Sequence, residues 1–373
     1  MDITPFFKLM VEKGASDLFF SVGAPPNIKI EGITSPIGQA PVKSQQMAEI
    51  VLSIMNDEQQ KDFDANLELN LAFSLIGVGR FRINIFRQRG EVAMVVRYIK
   101  GEIPSIEDLK LPVILKSIVM ELRGLVLVVG STGSGKSTAL ASMIDYRNDN
   151  HRGHILTIED PIEYLHKHKK SIVDQREIGI DTLSYEAALK NAMRESPDVI
   201  LIGEIRDRDS MKHAIAYSET GHLCISTLHA NNSNQTLDRI INFFPEDAKR
   251  QLLMDLSFNL RAIISLRLIP GIDNQRIPAV EVLTNTPYIS DLIEKGKIDE
   301  IKEVMARSNE QGMQTFDQAL LTLYKEGKIT KENTIKYADS KNNVGLQIRL
   351  NEETSYDEQS ESLKIQPDDI DKV

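Results

Sequence analysis

The chain has 373 residues, of which 41% are apolar, 26% charged and 6% aromatic. That composition excludes a chain disordered throughout, and at about 150 residues per domain the length suggests two domains. The formal net charge of −10 is uneven: Asn351–Val373 hold eight acids against two lysines, so no part reads as a general phosphate-backbone binder and no nucleic acid is expected as a partner.

The opening MDITPFFKLMVEKGASD has no basic stretch leading into an apolar run, so no signal peptide is expected. No apolar run approaches the ~20 residues of a membrane span, and no direct membrane span is expected. Residues 1–100 read as a small α+β domain. Pro5–Lys13 has the pattern of a short helix stopped by Gly14, Leu18–Val22 and Ile28–Glu31 read as strands, and Lys43–Met55 as a helix. Strands follow at Leu71–Leu75, Arg80–Arg87 and Val92–Tyr98. Alternation in Arg80–Arg87 puts Phe81, Ile83 and Ile85 on one face and Arg80, Arg82 and Asn84 on the other.

Residues 101–112 read as a linker, with Pro104 and Pro112 resisting regular structure. Residues 113–345 alternate strand and helix, the pattern of a mostly parallel α/β sheet. The expected sheet strands are Leu125–Val129, Ile155–Glu159, Val199–Gly203 and Leu223–Leu228, all apolar runs suited to burial on both faces. After Pro245, the spacing of Leu252, Leu253, Leu256, Leu260 and Ile263 predicts one long amphipathic helix. Leu266–Ile269 and Ala279–Leu283 read as a hairpin across Gly271–Asn274. Residues 346–373 form an acidic tail too poor in apolar residues to fold alone, and disorder is expected there. The single cysteine, Cys224, excludes an intrachain disulfide and a four-cysteine zinc site and points to a reducing, cytosolic compartment.

Four segments carry chemistry. The first is Gly130-Ser131-Thr132-Gly133-Ser134-Gly135-Lys136-Ser137, which matches the phosphate-binding loop pattern in full and sits between a predicted strand and a predicted helix, Ser137–Tyr146. Backbone N–H groups of such a loop turn toward phosphate oxygens, Lys136 is expected to reach the β- and γ-phosphates of a nucleotide, and the Ser137 hydroxyl to ligate Mg2+. The second is Asp198-Val-Ile-Leu-Ile-Gly-Glu204, an apolar strand ending in an acid that can hold Mg2+ through water or polarise the attacking water. The third is Glu159-Asp160-Pro161-Ile-Glu163, a cluster of carboxylates from which Glu163 is the preferred general base or outer metal ligand. The fourth is Thr220-Gly-His222-Leu-Cys-Ile-Ser-Thr227-Leu-His229, where a hydroxyl and an imidazole at the strand's end can sense the γ-phosphate. In the small domain Arg80, Arg82 and Arg97 are either surface arginines or neutralising contacts to nucleotide phosphates, in the same chain or across a subunit boundary.

In this order the segments GSTGSGKS, IEDPIEY, PDVILIGEIRD and TGHLCISTLHANN resemble the secretion ATPase superfamily of type IV pili and type II secretion. The resemblance spans about Met1–Leu350 and is nearest to the pilus retraction ATPases of the PilT/PilU family. Phe19 after Ser16-Asp17-Leu18, the segment Tyr288-Ile-Ser-Asp-Leu-Ile-Glu294 and the acidic tail lean toward its PilU branch. The resemblance implies a RecA-like P-loop ATPase domain with a smaller N-terminal α+β (PAS-like) domain. It implies a cytoplasmic homohexamer hydrolysing Mg-ATP against an inner-membrane pilus platform protein, beside a PilT-like paralogous ATPase. Carried over, Gly130–Thr138 bind ATP, Glu163 belongs to the acidic box, Glu204 to Walker B, and His222 and His229 to the histidine box. Arg80, Arg82 and Arg97 match basic positions that approach a neighbouring subunit's nucleotide. The rivals are an accessory nucleotide-binding ring with little turnover of its own and, on a different chemistry, a nucleic-acid translocase with an internal basic channel or a small-molecule kinase.

Overall fold

The computed structural model describes residues 2–30, 32–273, 275–308 and 312–350. The predicted acidic tail lies, from residue 351 on, outside the described residues. The strands of the described residues form two sheets.

The first sheet is antiparallel. Helix α1 (Thr4–Glu12) opens with Pro5 in its first turn, where the missing N–H goes unused, and buries Phe7 and Met10. Strands β1 (Asp17–Ser21), β2 (Asn27–Ile30) and β3 (Ile33–Pro36) precede helices α2 (Ser44–Ile54) and α3 (Asp57–Asn66); then come β4 (Glu68–Leu75), β5 (Gly79–Gln88) and β6 (Glu91–Ile99). Their order across the sheet is β3-β2-β1-β6-β5-β4. Phe81, Ile83 and Ile85 are fully buried, as the alternation of β5 requires, and Phe7 stacks on Phe81 with ring centres 4.4 Å apart. Two elements had no clear sequence signal. Strand β3 is exposed along its whole length, and α3 buries only Phe63.

The second sheet is built by the predicted alternation. Helix α4 (Ile114–Val119) precedes β7 (Gly124–Val129), α5 (Lys136–Asn150), β8 (His154–Glu159), β9 (Ile172–Glu177), α6 (Tyr185–Ala192), β10 (Val199–Ile202), α7 (Arg208–Glu219) and β11 (Leu223–Leu228). Helices α8 (Ser233–Asn242) and α9 (Glu246–Asn259) lead to β12 (Leu260–Pro270) and β13 (Arg276–Thr284). The strand order is β13-β12-β7-β11-β10-β8-β9. Strands β7, β10 and β11 are buried at every position, which is why they appear in the sequence as unbroken apolar runs.

The long helix predicted through Ile263 is not formed. Helix α9 stops at Asn259, and Leu260 and Ile263 lie in β12, paired in parallel with Leu125 and Leu127 of β7. Sheet pairing on both edges of β12 overrides the helical spacing, because β12 is also the first arm of the predicted hairpin with β13. Helices α10 (Pro287–Glu294), α11 (Ile301–Arg307), α12 (Phe316–Lys325) and α13 (Lys331–Tyr337) follow. Residues 341–350 are also helical, and Val344 and Ile348 are buried with Phe316, Leu320 and Ile269 in one apolar cluster. Residues 346–350, assigned to the tail by composition, therefore belong to the packed chain.

Contacts group the chain into two compact units, Met1–Ser105 with Ala141–Glu204, and Ile106–Leu140 with the chain from Ile205 on. Within the expected linker Ile106 and Leu111 are buried, so this stretch is irregular in backbone but anchored by side chains.

Candidate active site

The phosphate-binding loop leaves the carboxyl end of β7 and enters α5 at Lys136. Gly130 admits no side chain: at φ +152° a Cβ would lie 2.6 Å from the Leu266 carbonyl and closer still to the Ser134 hydroxyl. The Lys136 ammonium donates to the carbonyls of Gly130 at 2.8 Å and Ser131 at 3.0 Å, which holds its charge over the loop. The Ser134 hydroxyl is buried without a hydrogen-bond partner, while Ser131, Thr132 and Ser137 are exposed. Nothing lies within 4 Å of a Cβ built on Gly133 or Gly135. An open loop with an orphaned hydroxyl, a cation and a helix N-terminus fits the polyphosphate of a nucleotide.

Glu204 follows β10 and is half-buried. Its backbone is fixed on both sides. The Gly203 N–H donates to the Ile158 carbonyl at 2.7 Å, and the Ile205 N–H donates to the Thr227 carbonyl at 2.9 Å. The other acid of the segment's end, Asp207, caps α7: its carboxylate accepts the Ser210 N–H at 2.8 Å and the Ser210 hydroxyl at 2.7 Å. Those hydrogen bonds hold the Asp207 carboxyl below its ordinary value. Asp207 thus has a structural role, which leaves Glu204 as the segment's candidate for chemistry.

The acidic box divides in the same way. Glu163 is exposed on the loop after β8. Glu159 ends the strand and accepts hydrogen bonds from the Thr157 hydroxyl at 2.7 Å and the Gln175 amide at 3.3 Å. Burial pushes its carboxyl up to about 7 despite those bonds, and the charge of Glu163 adds to the rise. Sequence reasoning preferred Glu163 and did not single out Glu159, because nothing in the run IEDPIEY shows which carboxylate is buried.

The two histidines stand at opposite ends of β11. His229 follows the strand and borders a cavity of about 450 Å³ lined also by Asn231, Gln235, Asp238, Arg239 and Phe243. His222 precedes the strand. Its carbonyl accepts the N–H of Gly124 at the start of β7, and its Nδ1 lies 3.1 Å from the Thr220 hydroxyl. Strands β7 and β11 run parallel, and the phosphate-binding loop leaves the far end of β7. Six residues of strand separate the histidines by roughly 20 Å. His222, carried over with His229 as part of the histidine box, lies in its own chain at the edge of the sheet opposite the phosphate-binding loop. Thr227 and His229 lie at the edge where the loop leaves β7.

Two arginines of the small sheet have carboxylate partners in the same chain. Arg82 of β5 and Arg97 of β6 are directly opposite in register, a like-charge pair that each side relieves with its own carboxylate. Arg97 pairs with Asp17 at 2.9 Å and Arg82 with Glu177 at 3.6 Å. Arg80 has a buried Nε without a hydrogen-bond partner. Glu177 was missed from sequence: it ends β9, a polar edge strand whose run IVDQRE lacks a strand-like apolar pattern.

A parallel α/β sheet with a complete phosphate-binding loop at a strand's carboxyl end defines a P-loop nucleotide-binding protein. The chain belongs to the Type II/IV secretion system protein family, which matches residues 7–361. It is 53% identical to the type IV pilus ATPase PilU of Pseudomonas aeruginosa, over 99% of this chain and 98% of that protein. It is 42% identical to the type IV pilus retraction ATPase PilT of the same organism, over 89% of this chain and 97% of that protein. Its fold superposes on a crystal structure of the pilus retraction motor PilT with bound ADP at a TM-score of 0.85, with 41% identity, covering 91% of this chain and 98% of that one. Among the described residues, no helix is long and apolar enough to cross a membrane.

Proposed function

We propose that this chain is an Mg-ATP-hydrolysing motor that drives or assists type IV pilus retraction. The observation that carries the reading is the phosphate-binding loop itself, with Lys136 lying over an open cradle at the mouth of a fully buried strand. Similarity to PilU and PilT over most of the chain supplies the biological direction.

In this reading Gly130–Thr138 bind the phosphates, and Lys136 neutralises charge that develops on the transferred group. Mg2+ fits hard oxygen donors: the exposed Ser137 hydroxyl and the Glu204 carboxylate would hold it, with the substrate's own oxygens completing its shell. When bound, the ion supplies charge neutralisation on the β- and γ-oxygens. Glu204 orients and polarises the attacking water, Glu163 assists, and His229 with Thr227 reads the γ-phosphate. Arg80, Arg82 and Arg97 serve a neighbouring subunit's nucleotide. We assign the assembly as a cytoplasmic homohexamer at the inner membrane, engaging a pilus platform protein and a PilT-like paralogue.

The test is Mg-dependent ATP hydrolysis by the wild type and Glu204→Ala, with particle mass measured on the same samples. Turnover in a hexamer that collapses in the variant supports an active motor. A well-formed hexamer without turnover overturns it in favour of the accessory ring, to be assayed next with a PilT-like partner.

A further inference from the structure

Strand β9 delivers Glu177 into a buried position, its side chain 1% exposed. Its backbone is clamped there: the Glu177 N–H donates to the Asp181 carboxylate at 2.9 Å, and the Glu177 carbonyl accepts the Asp181 N–H at 2.8 Å. Two segments meet on the carboxylate. Arg82 of β5 approaches Oε1 at 3.6 Å, and the backbone N–H of Ile162 donates to Oε2 at 3.4 Å. Arg80 shares the outward face of β5 with Arg82, and its charge also bears on Glu177.

The arrangement has slack. Glu177 Oε1 and Arg80 Nε are both buried without a hydrogen-bond partner, and 3.6 Å is too long for a hydrogen bond from Arg82. A buried carboxylate held this loosely is a poor stabilising device, since burying the charge costs more than such a contact returns. A phosphate offers a guanidinium two short, parallel hydrogen bonds instead. Burial raises the Glu177 carboxyl above its ordinary value, and Arg82, the Ile162 N–H and Arg80 offset only part of that rise.

Ile162 is the residue before Glu163. Its side chain is 2% exposed and anchors the loop from which exposed Glu163 projects. The same loop is tied to the end of the small sheet, where Leu165 donates its N–H to the Lys100 carbonyl at 3.2 Å. The acidic box therefore has two attachments to residues 1–105, one of backbone and one ionic through Glu177.

We propose that Glu177 is a positioning residue that couples Arg82 to Glu163. With Arg82 on Glu177, Oε1 keeps its counter-charge and Oε2 keeps the Ile162 N–H. When Arg82 leaves for a nucleotide phosphate, the carboxylate loses its cation and its hold on Ile162 changes, which resets Glu163. By linkage the coupling runs both ways: the position of the Glu163 loop sets how readily Arg82 is released. The inference rests on the assignment of Glu163 to hydrolysis and deepens it by naming what places that residue.

A double-mutant cycle on the full-chain enzyme tests it, using Glu163→Gln, Glu177→Gln and the double variant with ATP as the probe. Glu177→Gln is expected to lower kcat about tenfold with the KM for ATP changed less than about twofold, and to change kcat less than about twofold when Glu163→Gln is already present. Full multiplication of the two losses overturns the coupling and leaves Glu177 as ordinary packing. Wild-type kcat in Glu163→Gln alone marks a different failure, that of the hydrolytic assignment, and the inference falls with it. Should Glu177→Gln fail to fold, Glu177→Asp, which keeps the charge but shortens its reach to the Ile162 N–H and Arg82, takes its place in the cycle with the same expected non-additivity.

Discussion

Gly203 lies so close to Glu159 that a Cβ at position 203 would stand 3.2 Å from the Glu159 Cα and 2.9 Å from the Tyr185 hydroxyl. The glycine before Glu204 thus sits at a tight approach between the ends of β10 and β8. Gly203→Ala must displace the Tyr185 hydroxyl and press on the Glu159 and Ile158 backbone, at a cost of about 1–3 kcal/mol. Because Gly203 is hydrogen bonded to Ile158 and precedes Glu204, the shift should also misplace the carboxylate proposed to polarise the attacking water. The expected outcome is a lower unfolding midpoint in urea together with a loss of kcat of about tenfold or more. Unchanged kcat in a destabilised variant would confine Gly203 to packing.

Glu159 gives the fold a pH dependence of defined sign. Its carboxyl titrates at about 7 in the folded chain against an ordinary value of 4.5, so the folded state binds this proton more tightly than the unfolded state. The contribution is fully present below 4.5 and is lost as pH rises through about 7. A shift of that size corresponds to something on the order of 3 kcal/mol. Glu159→Gln keeps an acceptor for the Thr157 hydroxyl and cannot ionise. Thermal unfolding of both proteins from pH 5 to pH 8 should show the wild type losing stability relative to the variant. Parallel curves would mean that the carboxylate is charged in the fold at no cost.

Some of this architecture is legible in the amino-acid order, and the reasons are specific. Strands β7 and β11 announce themselves because both faces are buried, so every residue is apolar or small. The phosphate-binding loop is legible because its chemistry is done by backbone and glycine spacing. Leu260 and Ile263 mislead because helical spacing and membership of a buried strand coincide there, and only the partner β7 decides. His222 and His229 look equivalent in sequence, but a six-residue strand between them sends one to each edge of the sheet. Glu177 and the cross-strand pair Arg82–Arg97 are products of register and of contacts between distant segments, for which no local pattern exists.

Lys136 separates chemistry from stability. Its ammonium touches two loop carbonyls and is half-exposed, so little of the fold depends on it. Lys136→Ala should shift the unfolding free energy by no more than about 1 kcal/mol. It should cut ATP turnover by about a hundredfold or more, since the charge over the transferred phosphoryl is gone. Steady-state hydrolysis and urea unfolding on one preparation check both parts. Substantial turnover by the variant would defeat the assignment of this loop as the hydrolytic site.

Arg267 joins the segment after β11 to the C-terminal helices. Its guanidinium lies 3.8 Å over the Phe316 ring, pairs with Asp339 at 2.6 Å, and donates to the carbonyls of Tyr337 and Asn231. Lys302 takes the second oxygen of Asp339 at 2.8 Å. Burial alone would raise the Asp339 carboxyl, but Lys302 and Arg267 hold it below its ordinary value, so its contribution is present above pH 3.8 and is lost as pH falls. Asp339→Ala removes the carboxylate that the two partly buried cations share and leaves buried Glu281 as a nearby acid acting on Lys302, and the expected cost is about 2–4 kcal/mol. Asn231 stands two residues after His229, so the loss should also loosen the loop that carries the histidine. Amide hydrogen exchange at residues 229–233 should quicken in the variant, and urea unfolding should give the free-energy change. A cost under about 1 kcal/mol with unchanged exchange would reduce the network to a surface ion pair.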